Sequence, residues 1–151
     1  MGCDIHVYIE KKNEEKNCWE IVSLYYLAEY SKTLELAEAY NDRCYDLFSL
    51  LAGVRGNYEP LIEPRGLPHD LSTKVYTESD YWENDSHSHT WYDLFELALF
   101  VKELKLDEDR EAEYALLADF YEAIENYCSL AHQNVWEVVP GKYRIIMWFD
   151  S

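Results

Sequence analysis

The chain has 151 residues, enough for one domain with one hydrophobic core, and its 48% hydrophobic and 16% aromatic content exceeds what a disordered chain carries. Thirteen Lys and Arg against 30 Asp and Glu give a formal charge of −17, which repels nucleic-acid phosphates and anionic membranes. The charge either keeps the protein soluble or draws it to basic protein surfaces, such as those of proteins that bind nucleic acid.

The opening MGCDIHVYIEKK lacks the basic and apolar regions of a targeting segment, and His6 stands where myristoylation wants Ser or Thr. No run approaches the ~18 apolar residues of a membrane span. The cysteines, Cys3, Cys18, Cys44 and Cys128, form no CxxC, so reduced thiols and a cytoplasmic protein are expected. Residues 3–10 alternate, with Cys3, Ile5, Val7 and Ile9 on one side and Asp4, His6, Tyr8 and Glu10 on the other; this predicts a strand with one apolar face. The polar run 11–17 turns the chain into a second strand over 18–22, completing an N-terminal hairpin. Residues 24–40 are ambiguous, with helical character over 33–40. YDLFSLLA at 45–52 predicts a short helix stopped by Gly53. Residues 53–90 hold most of the prolines and glycines and predict a long irregular loop, a feature that in a compact domain is functional or clamped.

Thr90, with Asp93 three residues on, predicts the N-cap of a helix reaching about Leu106. Asp107 caps a second helix over 108–131, with an apolar stripe of Tyr114, Leu117, Tyr121, Ile124 and Cys128. YRIIMWF at 143–149 predicts a buried strand entered through Pro140-Gly141. The expected fold is α+β in a single domain, 1–151: a small antiparallel sheet, built from the N-terminal hairpin and the C-terminal strand, packed against helices, with a long metal-clamped loop.

The metal expectation rests on five histidines, His6, His69, His87, His89 and His132. Asp4 and His6 are two apart on a strand, so their side chains share a face with α-carbons roughly 6.8 Å apart. His87 and His89 repeat that geometry if DSHSH is extended. Two such pairs facing one another supply three imidazoles and one carboxylate, a set that suits zinc or another imidazole-accepting transition metal. Asp85 is the alternative oxygen ligand, or orients a histidine from behind. A lone HxH is most often just solvated; the Asp-x-His on an early strand is what raises the pair to a site. Cys3 points to the apolar face and is expected in the core, and His69 and His132 are expected in surface or capping roles.

Arg55 and Arg65 are either anion binders beside the metal or partners of the abundant carboxylates, the latter being preferred. Glu63 or Asp70 could serve as a general base to a metal-bound water, but nothing in the sequence puts either there. From Asp93 to Glu125 eleven carboxylates face Lys102, Lys105 and Arg110. Glu111, Asp119, Glu122 and Glu125 are the candidate partner-binding residues; the last three, spaced by three, place carboxylates ~5–6 Å apart, a row that can compete with phosphates for Lys and Arg or merely be a solvated face.

MGCDIHVYIEKK, YDLFSLLAGVRG, EPRGLPHDLS, DSHSHTWYDLFEL and YRIIMWFDS together resemble a family of small acidic proteins encoded by phages and prophages. The chain is also similar to anti-CRISPR metalloproteins of streptococcal phages that inhibit type II-A Cas9. That resemblance implies zinc binding and direct contact with Cas9 that blocks its DNA engagement, with Asp4, His6, His87 and His89 as the matching metal motifs. The favoured expectation is therefore an inhibitor that binds a basic host protein such as Cas9, with no catalytic residues assigned. The alternative is a metal-dependent hydrolase or phosphodiesterase acting on a nucleotide signal, which would have to hold an anionic substrate on a chain of −17. A third reading is a nucleotide-sequestering module.

Overall fold

The structure is a computed structural model that describes residues 2–132 and 136–150. It is α+β. The N-terminal alternation forms β1 (Asp4–Asn13), which turns into β2 (Cys18–Val22), and the C-terminal apolar run forms β6 (Tyr143–Asp150). β6 pairs antiparallel along the whole of β1, from Asp4 opposite Asp150 to Lys11 opposite Tyr143. On the outer side of β6 lies β5 (Ser86–Asp93), so the four-stranded antiparallel sheet runs β2-β1-β6-β5.

One face of this sheet carries Ile5, Val7 and Ile9 of β1 with Tyr143, Ile145, Met147 and Phe149 of β6, and it packs under three helices. These are α1 (Tyr45–Ala52), α3 (Leu94–Leu106) and α4 (Glu111–Ala131). Gly53 ends α1 as predicted: at φ 71 its amide reaches back to the carbonyls of Phe48 and Ser49, a turn that glycine makes without steric cost. On α4 the buried stripe is Leu117, Phe120, Ile124, Tyr127 and Cys128, while Tyr114 and Tyr121 are only half-buried. The stripe predicted from spacing is thus rotated by about one position toward the residues that meet the sheet. Cys3 is fully buried, as expected for a core thiol, and all four cysteines are free.

Three elements differ from expectation. The helical segment 33–40 instead contributes β4 (Leu34–Leu36), which pairs with β3 (Tyr25–Leu27) in a separate two-stranded ribbon. A helix this short has little stability of its own. The ribbon is fastened at its base by Tyr127, whose hydroxyl accepts from the Leu24 amide at 2.9 Å and donates to the Ala37 carbonyl at 2.7 Å.

The second difference is that segment 53–90 is not a continuous loop: it contains α2 (Thr73–Trp82), a 3-10 turn at Glu83–Asp85 and the start of β5. The part before α2 is irregular, and hydrogen bonds hold it where a metal clamp was expected. The Leu61 amide donates to Leu50, Tyr58 to the Ser49 hydroxyl, Gly66 to His89, and Ser72 to the buried Glu10 carboxylate. The third is that the cap of α3 is Asp93, not Thr90. The Asp93 carboxylate accepts from Phe95 at 2.8 Å and, through its other oxygen, from Gly141 at the entrance to β6. Thr90, Trp91 and Tyr92 are β-branched or aromatic and extend the strand instead. Asp107 does cap the next helical turn, as read from the sequence.

The segment before and within α2 covers the second face of the sheet. Tyr8, Ile146 and Trp148 are buried there beneath Val75, with Leu67, Leu71, Trp82 and Trp91 closing around them. β1 therefore has two buried faces, not one.

Candidate functional site

On this second face the alternation of β1 and β6 brings His6 opposite Trp148 and Glu10 opposite Arg144. Glu10 and Arg144 form a buried ion pair, with side chains 0% and 6% exposed. The Glu10 carboxylate also accepts the Ser72 amide, and Arg144 reaches on to Asp70 at 2.8 Å while stacking over Trp19. Asp70, named above as a candidate base, is instead held by Arg144, which outweighs desolvation and lowers its pKa.

His6 lies between two carboxylates that the sequence did not single out. Its Nδ1 faces Glu38 at 2.9 Å and its Nε2 faces Asp150 at 2.6 Å. The ring lies 4.3 Å from that of Trp82 and 6.2 Å from that of Trp148. Burial disfavours the charged ring, but the hydrogen bonds and charges of Glu38 and Asp150 prevail and raise its pKa. The charged form donates from both nitrogens and ties the first strand, the last strand and the β4–α1 connection together. Glu38 carries no local signal, because the pattern of its segment is ambiguous and partly helical in character. Asp150 could have been found by pairing the first and last strands in register.

The remaining predicted ligands are placed apart. Asp4 pairs with Arg43 at 2.8 Å, with both side chains about half exposed. Ser88 adopts φ 55 and the β5–β6 register shifts between His87 and Thr90. This bulge breaks the alternation that an extended DSHSH would have had. His87 stacks against Phe149, on the helix face, and His89 lies against Trp148, on the face of His6. His89 Nε2 stands 3.0 Å from the Ser86 hydroxyl, which donates to Glu83; the serine oxygen then accepts from the imidazole. Burial first, and His87 second, lowers the pKa of His89. Asp85 is exposed at the end of its 3-10 turn. Asp4, His6, His87 and His89 therefore do not fit a zinc ion as one ligand set: two imidazoles lie on opposite sides of the sheet, and both nitrogens of the third are engaged. Among the described residues no group of three or more His, Cys, Asp or Glu side chains could hold a metal ion.

Arg65 follows the carboxylate-pairing reading: its guanidinium is bidentate to Glu96 at 2.9 and 2.7 Å and stacks over Trp91. Arg55 stacks over Tyr45. His69 is exposed, whereas His132 packs against Tyr143. Lys74, Arg110 and Lys142 also bind carboxylates, Glu78, Glu113 and Glu137.

The candidate partner-binding row behaves differently. Glu111, Asp119 and Glu122 are exposed on α4 and have no ion pair among the described residues. Asp119 and Glu122 share a cleft of about 380 Å³ with Asp42 of the segment before α1. Glu125 turns toward a neighbouring groove beside Trp136, where burial and then Glu122 raise its pKa. Among the described residues no helix is long and apolar enough to cross a membrane. No protein-family model, curated protein or solved structure matches this chain.

Proposed function

We propose that this protein is an acidic inhibitor that binds a basic, nucleic-acid-handling host protein, of which Cas9 is the example implied by the sequence resemblance, and obstructs its access to DNA. The observation that carries this reading is a cluster of outward-facing carboxylates that no ion pair among the described residues neutralises. Arg43, Arg65, Lys74, Arg110, Lys142 and Arg144 each bind a carboxylate of the chain itself. Asp42, Asp119 and Glu122 are left facing outward around one cleft, with no cation among the described residues to neutralise them. A surface of that kind attracts Lys and Arg side chains that otherwise hold phosphates.

The test is target-DNA binding by a type II-A Cas9–guide complex titrated with this protein at low and high salt. Inhibition should weaken as salt rises, and the double charge reversal Asp119→Lys with Glu122→Lys should raise the inhibitory concentration about tenfold or more. Absence of inhibition, or inhibition indifferent to both salt and charge reversal, overturns the reading.

A further inference from the structure

The β3–β4 ribbon is the most exposed apolar element of the described chain: Tyr25, Tyr26, Leu27 and Leu34 are each half-exposed or more. Such a ribbon makes poor sense as packing alone, because aromatic side chains in the open lose the burial that would stabilise them. Between the ribbon and α2 lies a cavity of about 640 Å³, within the range of sites that hold a ligand or a large side chain. Five tyrosine and tryptophan residues line it, Tyr25 and Tyr26 from the ribbon, Tyr81 and Trp82 from the end of α2 and Tyr8 from β1, with the His6 ring beside them. Tyr81 is 80% exposed. Its charged lining is Glu35 and Glu38, from β4 and just beyond, together with Lys74 and Glu78 of α2, which pair with each other at 3.0 Å.

Glu35 and Glu38 are used differently. Glu38 gives one oxygen to His6. Glu35 receives only hydroxyl groups, from Tyr26 at 3.1 Å and from Ser31, and among the described residues no cation reaches it. Aromatic faces carry negative potential and attract a cation laid over them, and a carboxylate beside them fixes its position. A planar guanidinium uses both: it stacks on rings and presents a fork to a carboxylate, which an ammonium does less well. The cavity also adjoins the acidic cleft of the proposed interface, since Asn41 lines both.

We propose that this aromatic and acidic cavity is the receptor for an arginine side chain projecting from the basic partner protein. The assignment rests on the proposed function for the identity of the partner, while the cavity chemistry stands apart from it. Arginine inserts between the ribbon and α2, with its guanidinium against Glu35 and over the tyrosine rings. Lysine of the same partner binds more weakly.

The experiment follows the Trp82 indole N–H by NMR during titration with acetyl-Gly-Arg-Gly-amide, and with the same peptide carrying lysine or norleucine. The arginine peptide should shift Trp82 and bind more tightly than the other two. Glu35→Gln and Tyr81→Ala, both at exposed positions, should each weaken it about fivefold. Tyr30→Ala, on the same hairpin but outside the cavity, should leave it unchanged. Equal binding of the norleucine peptide, or indifference to both cavity variants, overturns the assignment. A protein that blocks Cas9 yet shows no arginine binding at Trp82 overturns the cavity and leaves the proposed function. Arginine binding at Trp82 without any effect on Cas9 does the reverse.

Discussion

The two faces of the central sheet are both buried, but by opposite means. Toward α1, α3 and α4 the contacts are between apolar side chains, from Ile5 and Met147 to Phe120 and Ile124. Toward α2 the same strands bury an ion pair, an imidazole held between two carboxylates and stacked aromatic rings, with Val75 the buried residue of α2 itself. An apolar face tolerates many rearrangements of similar volume, whereas a buried charge tolerates only the partner that satisfies it. The first face supplies most of the stabilising burial; the second specifies which strand ends and which loops meet.

Breaking each face separately sharpens this contrast. On the polar face, Glu10→Ala or Arg144→Ala alone should cost about 3–5 kcal/mol, since each leaves a buried charge without its partner. On the apolar face Phe120→Ala should cost a similar ~3–5 kcal/mol through its cavity. The two faces part company in the double variant. Glu10→Leu with Arg144→Leu should recover most of the single-variant loss, with some left because Ser72 loses its acceptor. Urea unfolding of the singles and the double measures this, and additive losses would mean the pair is not the unit.

The loop beneath α1 offers a smaller effect. Gly56 has φ 132, and a Cβ there would collide with the Tyr45 carbonyl oxygen. Gly56→Ala should cost about 2–3 kcal/mol in thermal or urea unfolding. Tyr127→Phe removes both hydrogen bonds at the base of the ribbon and should cost about 1–2 kcal/mol. Hydrogen exchange should show faster opening at 24–37 while the central sheet stays protected.

The His6 clamp gives a pH signature of modest size. Its folded pKa lies above the usual 6.5, so the clamp is complete below about pH 6.5, and its stabilisation is lost as pH rises through the raised value. Melting temperature should fall across that window in the wild type and stay flat there in His6→Asn. His89, lowered by burial and then by His87, acts in the other direction and weakens the fold only as pH falls below 6.5. The smallest expected effect is that of zinc, which should leave the melting temperature unchanged. One zinc per chain in elemental analysis, lost in His87→Ala, would mean that the Ser88 bulge can rearrange to bring His87 to the face of His6.

Local pattern was a good guide wherever one interaction range dominated. The alternation of residues 3–10, the apolar run at 143–149, Gly53 after YDLFSLLA and Asp107 before a long amphipathic stretch each led to the element the fold contains. Arg65 with a carboxylate and Cys3 in the core followed from composition and strand parity. α2 leaves no apolar periodicity in the sequence, because its ten residues are mostly polar and only Val75 is buried. His6 was legible as an important residue, but its partners were not: Glu38 and Asp150 are 32 and 144 residues away.

The amino-acid sequence by itself determined the α+β class, the strong acidity and the two strands that form the centre of the sheet, because periodicity and charge are properties of neighbouring residues. Tertiary structure decided that residues 67–82 fold over the second face, that one left-handed serine sends His87 and His89 to opposite sides, and that Tyr25, Tyr26 and Tyr81 line one cavity. Those outcomes depend on which distant groups satisfy a buried charge or an unpaired backbone amide, and spacing along the chain carries no record of that choice.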